Sequence, residues 1–173
     1  MANIQIFYDY ECPFCKRGYE YLTELLPAYP GIEIEWRPIE AHPRPETYGI
    51  HTDLCIQAFY LAEELGADIN AFSRAMFQAV VAESRDVEKP ETLAEILTGI
   101  VDGGRLLETL KSGKYAAKVN ENNDLAYEKN GVWYLPAFRV PGNDALRLDA
   151  KGGMGVTQEE IKGFLETVSR KSV

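Results

Sequence analysis

Cysteine and histidine are scarce in this chain, at three and two residues among 173. Three cysteines are too few for a disulfide framework, and one of them is left over by spacing, which suits a reducing compartment. No stretch approaches the roughly eighteen consecutive apolar residues of a membrane span. Clusters of lysine or arginine are also missing. The 18 basic residues against 27 acidic ones leave a net charge of −9, spread along the chain. Such a balance repels phosphate, so nucleic-acid binding is not expected. The start, Met1-Ala2-Asn3, has no basic segment, apolar h-region or small-residue cleavage site of a secretory signal. The expectation is a cytoplasmic protein with no membrane partner. Internal repeats and low-complexity tracts are absent as well. What remains is one domain, or one domain carrying an insertion, whose 46% hydrophobic content can fill a core without crosslinks.

Two of the three cysteines stand together. Cys12-Pro13-Phe14-Cys15 follows the apolar run Ile4-Gln5-Ile6-Phe7-Tyr8 and precedes a helical stripe of Cys15, Tyr19, Leu22 and Leu26 that stops at Pro27 to Gly31. A thiolate at a helix N-terminus is stabilised by the partial positive charge there. Pro13 suits the first helical position. Strand, C-x-x-C and helix together predict a redox dithiol. Zinc would need two further ligands, and the chain offers only Cys55, His42 and His51, at unsuitable spacing. No metal is expected. A purely structural disulfide is also unsuited, because so short a loop contributes little closure entropy.

The remaining pattern alternates between two periods. Ile32 to Trp36 alternates apolar with acidic residues, as in a half-exposed strand. Residues 42–45 form a proline-rich loop, and His42 and His51 are expected to be solvated there. Five helical segments follow. The first carries Leu54, Ala58, Leu61 and Leu65, and the second carries Ile69, Phe72, Met76 and Val80 behind Asp68 as N-cap. Pro90 opens the third, Leu106, Leu107 and Leu110 mark the fourth, and residues 115–130 make the fifth, ended by Gly131. Ala137–Val140 and Ala145–Leu148 then predict a hairpin across a four-residue loop, Pro141 to Asp144. A last helix begins at the capping box Thr157-Gln158-Glu159-Glu160. Gly152-Gly153-Met154-Gly155 reads as a turn. Cys55 is expected to be an inert core thiol.

Removing the helical block leaves β-α-β-β-β-α. This arrangement, with Cys12-Pro13-Phe14-Cys15, Gly131-Val132-Trp133-Tyr134-Leu135-Pro136-Ala137-Phe138 and Leu110-Lys111-Ser112-Gly113-Lys114-Tyr115, resembles the DsbA-like branch of the thioredoxin superfamily, and its FrnE-type cytoplasmic members in particular. The resemblance implies an α/β thioredoxin fold formed by residues 1–50 and 131–173, with an all-helical insertion at 51–130 between the second and third strands. It implies a thiol-disulfide oxidoreductase or isomerase in which Cys12 attacks and Cys15 resolves. It further implies a cis bond before Pro136, which would face the dithiol, and a substrate surface of Pro13, Phe14, Leu135 and Pro136. No cofactor follows from it. The partner would be a disulfide- or thiol-containing protein or a small thiol, glutathione included. One departure is that Ile6 occupies the place where thioredoxin and DsbA bury an acid. Asp9 is then the candidate for tuning the thiolate, or else it caps the loop before Cys12. Two other functions stay open on the sequence. A glutathione-dependent isomerase or transferase of the kappa type shares the topology but usually carries serine first and lacks the second cysteine. A non-catalytic partner-binding module would keep the fold alone.

Overall fold

The computed structural model describes residues 1–171, which form two compact units, residues 1–38 with 125–171, and Ile39–Asp124. The first is an α/β unit. Strand β1 (Ala2–Tyr8) leads to helix α1 (Pro13–Leu25), then to β2 (Ile32–Pro38), and the chain returns as β3 (Ala137–Val140), β4 (Asn143–Asp149) and α7 (Gln158–Lys171). The sheet order is β2-β1-β3-β4, with β1 parallel to β2 and antiparallel to β3, and β3 antiparallel to β4. Central placement of β1 follows from its apolar run. Ile6, Phe7 and Tyr8 are buried in succession, whereas Asn3 is exposed and the Gln5 amide donates to Glu35 on β2 at 2.8 Å. Burial on both faces is therefore confined to the end of β1 that leads into the dithiol.

The hairpin differs from its expected form. Val140 pairs with Asn143 directly, leaving only Pro141 and Gly142 between the strands, and the register shifts between Arg139 and Val140. Gly142 lies at φ 77°, a conformation that glycine adopts without steric cost and that permits the tighter link. The capping box closes as expected. Thr157 Oγ1 accepts from the Glu160 amide at 3.1 Å, and a Glu160 carboxylate oxygen accepts from the Thr157 amide at 3.0 Å.

The second unit is helical and built around α2 (Asp53–Glu64), which touches α3 (Ile69–Phe77), α4 (Pro90–Ile96), α5 (Gly103–Ser112) and α6 (Ala116–Asp124). Its central position explains why α2 is buried nearly all round, from Cys55 to Phe59 and again at Leu61 and Ala62, while Leu54 and Leu65 of the expected stripe are only half-buried. Asp68 and Asp102 cap α3 and α5 by accepting from the amides of Ala71 at 3.0 Å and Arg105 at 2.8 Å. The fifth segment is not one helix. It breaks into α6 and a π-helical turn, Leu125–Lys129, and a second such turn, Gln78–Ala82, follows α3.

The units divide at 38/39 and 124/125 rather than at 50/51 and 130/131. Both shifts have local causes. Glu40 is tied to the helical unit twice, its amide donating to Asn123 Oδ1 at 2.9 Å and its carboxylate accepting from Asn123 Nδ2 at 3.1 Å. At the other junction, Asn130 offers its carbonyl to Arg139 at 3.2 Å and so belongs with the sheet. His51 also departs from expectation. It is buried, and its Nδ1–H donates to the His42 carbonyl at 2.8 Å, which supplies the partner that a buried ring nitrogen requires. Among the described residues no helix is long and apolar enough to cross a membrane.

Candidate active site

The site is organised by the turn between β1 and α1. Asp9 is fully buried. Its carbonyl accepts from the Cys12 amide at 3.1 Å and its carboxylate Oδ1 from the Glu11 amide at 3.1 Å, which closes residues 9–12 into a turn. Cys12 follows as N-cap of α1 with extended backbone (φ −84°, ψ 117°), and Pro13 starts the helix. A sulfur thus takes the capping position usually filled by a hydroxyl or carboxylate oxygen. The Cys15 amide donates to the Cys12 Sγ at 3.3 Å. All three cysteines are present as thiols, Cys12 partly exposed, Cys15 and Cys55 buried.

The two sulfurs of the pair are driven in opposite directions. The Cys15 thiol donates to Cys12 and holds its pKa below the ordinary thiol range, helped by the amides of Cys15 and Phe14 and opposed by burial and by Asp9. Burial pushes Cys15 well above that range, and its bond to Cys12 adds to the rise. The helical cations contribute little. Lys16 is engaged by Glu20, and the Arg17 guanidinium lies 5.6 Å from the centroid of the Phe14 ring. Asp9 braces the turn through its carboxylate, and its charge is the smallest of the influences on the Cys12 pKa.

Behind Cys15 lies an enclosed apolar void of about 10 Å³ lined by Ile6, Tyr8, Gly18, Tyr19, Trp36 and Pro136, among others. That volume is at the lower limit for one water molecule, and the walls offer it few partners. Ile6, at 3% exposure, removes any acid from this position. Trp36 packs against Tyr8 and Tyr19, with ring centroids 5.8 and 5.2 Å apart.

Pro136 is buried, and the Leu135–Pro136 bond is cis. Its ring fills the gap left by Gly18 of α1, where an added Cβ would lie 2.9 Å from the Pro136 Cγ. The turn at residues 151–155, closed by a bridge between Lys151 and Gly155, supports two aromatic rings. A Cβ on Gly155 would lie 2.9 Å from Phe14, and one on Gly152 would lie 2.8 Å from Tyr134. Gly18, Gly152 and Gly155 thus shape the site, and the sequence reading missed all three. A glycine inside a helix, such as Gly18, is the one signal that pointed to such close approach. Leu135 is half-buried, whereas Trp133 and Tyr134 are 86% and 54% exposed. Cys55 lies in the core of the helical unit on α2, whereas the dithiol turn belongs to the α/β unit. Among the described residues no three His, Cys, Asp or Glu side chains are placed to share a metal ion.

The pattern that defines the DSBA-like thioredoxin domain matches residues 3–158. YwbO of Bacillus subtilis, an uncharacterized protein, is 22% identical over 175 residues, covering 80% of this chain and 86% of that protein. The fold is shared with a probable DsbA oxidoreductase from Streptomyces coelicolor, at 18% identity and a TM-score of 0.76 over 98% of this chain and 89% of that one. It is shared also with Chlamydia trachomatis DsbA, at 14% identity and a TM-score of 0.72 over 99% of this chain and 88% of that one.

Proposed function

We propose, since the chain belongs to the DSBA-like thioredoxin family, that it is a thiol-disulfide oxidoreductase working through Cys12 and Cys15. The observation that carries this reading is the asymmetry of the pair, a partly exposed sulfur at the helix N-cap whose pKa is lowered beside a buried one whose pKa is raised. In the reducing direction the Cys12 thiolate attacks a substrate disulfide. One substrate sulfur leaves as thiolate and takes up a proton, and the other stays bound to Cys12. Cys15 then loses its proton, attacks the Cys12 sulfur and expels the second substrate thiolate. The dithiol has given up two electrons and become a disulfide. The oxidising direction is the same sequence reversed.

Substrate docking uses the surroundings of Cys12. The segment Trp133 to Leu135 leads into β3 and offers backbone and rings to an extended substrate segment, in the manner of strand addition. Phe14, seated on Gly155, and Tyr134, seated on Gly152, form the walls, with Pro13 next to Cys12 in the chain and Pro136 lining the void shared with Cys15. The substrate class is a disulfide-bearing protein or a small disulfide such as that of glutathione. Asp9 and the Leu110–Tyr115 segment support assignment to the FrnE-type cytoplasmic members, where the reducing direction is favoured by the surrounding thiol pool. The test is equilibration of the full chain in glutathione redox buffers, with the Cys12–Cys15 disulfide quantified by mass spectrometry. A reversible transition confined to these two sulfurs is expected. Absence of a Cys12–Cys15 disulfide even in oxidised glutathione would overturn the reading.

A further inference from the structure

The helical unit holds a solvent-open cleft of about 240 Å³ that takes no part in the dithiol chemistry. One wall is a face of α2 carrying Asp53 and Gln57, one turn apart. The other is a face of α6 carrying Ala116 and Val119, and the loop Glu40 to Arg44 closes one side. Asn120 and Arg44 bring donors to the lining, yet two of its acceptors are left without one. Gln57 is 95% buried, being 5% exposed, yet its amide oxygen has no hydrogen-bond partner, and the buried Oδ1 of Asp53 has none either among the described residues. The Arg44 guanidinium approaches Asp53 Oδ1 only to 3.7 Å, beyond hydrogen-bond range, and is shared with Glu88 at 3.3 Å. Buried acceptors left without donors are uncommon and costly.

Glu40 adds a third oxygen group. It is buried, and its carboxyl is pushed above the usual carboxylate range by that burial, with the charge of Asp53 adding to the rise. A cation seated between them would relieve both. Three acceptor groups match the three N–H bonds of a primary ammonium, while Pro43, Ala116 and Val119 provide an apolar lining for a carbon stem. Two carboxylates against one partly exposed guanidinium also leave the lining negative.

We propose that this cleft binds the ammonium group of a small alkylamine, with Asp53, Gln57 and Glu40 accepting its N–H bonds and the stem lying against Val119 and Pro43. Isothermal titration of the full chain in amine-free phosphate buffer tests it, with 1,4-diaminobutane as probe, butan-1-ol as the uncharged control and potassium chloride as the inorganic cation. Saturable one-site binding is expected for the diamine and for neither butan-1-ol nor potassium. Nα-acetyl-lysine amide provides a second ammonium source; tighter binding than the diamine would keep the ammonium site and assign its ligand to lysine side chains. Gln57→Leu and Asp53→Asn should each weaken binding about tenfold or more, as loss of a hydrogen bond to a charged group does. Gln57→Glu should tighten it, a gain that a folding defect cannot produce. No saturable heat with either amine, equal binding of butanol or potassium, or an affinity unmoved by all three variants would overturn the proposal.

Discussion

The Cys15 amide donates to the Cys12 sulfur across 3.3 Å, so the second residue of the pair stabilises the thiolate of the first through its backbone as well as its side chain. The contact exists because Cys12 is the N-cap and Cys15 lies three positions on, where a capping atom finds its donor.

Cys12 should therefore be alkylated first. Its folded pKa is depressed, so its reaction rate should rise with pH through a midpoint below that of an ordinary free thiol. Cys15, raised by burial, should stay unlabelled until well above that value. Mass spectrometry after brief iodoacetamide treatment across a pH series reads both. Preferential labelling of Cys55 would contradict its position in the helical core.

Much of this arrangement was legible in the sequence. The apolar run Ile4 to Tyr8 and the acidic alternation of Ile32 to Trp36 each read as a strand, and the more apolar of the two lies inside the sheet while the other lies at its edge. Asp68 and Thr157 announced their helices through side-chain chemistry that acts within one turn. What stayed hidden depends on contacts between distant residues. The void behind Cys15 joins side chains from Ile6 to Phe138, and no local pattern encodes it. The π-helical turns Gln78–Ala82 and Leu125–Lys129 leave apolar periodicity nearly unchanged, so residues 115–130 read as one helix. His51 looked solvated because it flanks a proline-rich loop, and the carbonyl of His42 that satisfies it lies nine residues away.

The three cysteines should separate cleanly in an insulin-reduction assay. Cys12→Ser should abolish exchange. Cys15→Ser should accumulate a mixed disulfide on Cys12, visible on non-reducing gels, because nothing resolves the adduct. Cys55→Ala should keep turnover and lose about 1 kcal/mol of stability, the ordinary cost of a core substitution.

Two glycines in helices should respond with opposite signs. Gly18→Ala forces a methyl to 2.9 Å from the Pro136 ring and should cost about 1–3 kcal/mol, with loss of exchange activity. Gly163→Ala, on the exposed face of α7 with nothing within 4 Å of the new Cβ, should gain about 0.5–1 kcal/mol and leave activity alone. Urea denaturation of both variants beside the parent protein checks the signs.

Trp133 is 86% exposed, and Trp133→Ala should alter stability by no more than about 0.5 kcal/mol. Its KM for insulin should rise while turnover of oxidised glutathione, too small to span the segment, stays unchanged. Equal loss with both substrates would remove Trp133 from the docking surface.

The pocket around Cys15 also limits the routes open to a proton. Ile6 offers none, the void has space for at most a single water, and the charge of Asp9 acts on the buried sulfur. Under the proposed cycle Cys15 must lose its proton before it attacks, so decay of the mixed disulfide should quicken as the pH rises. A carboxylate introduced at Ile6 should quicken it further, and the adduct's lifetime on non-reducing gels reads both.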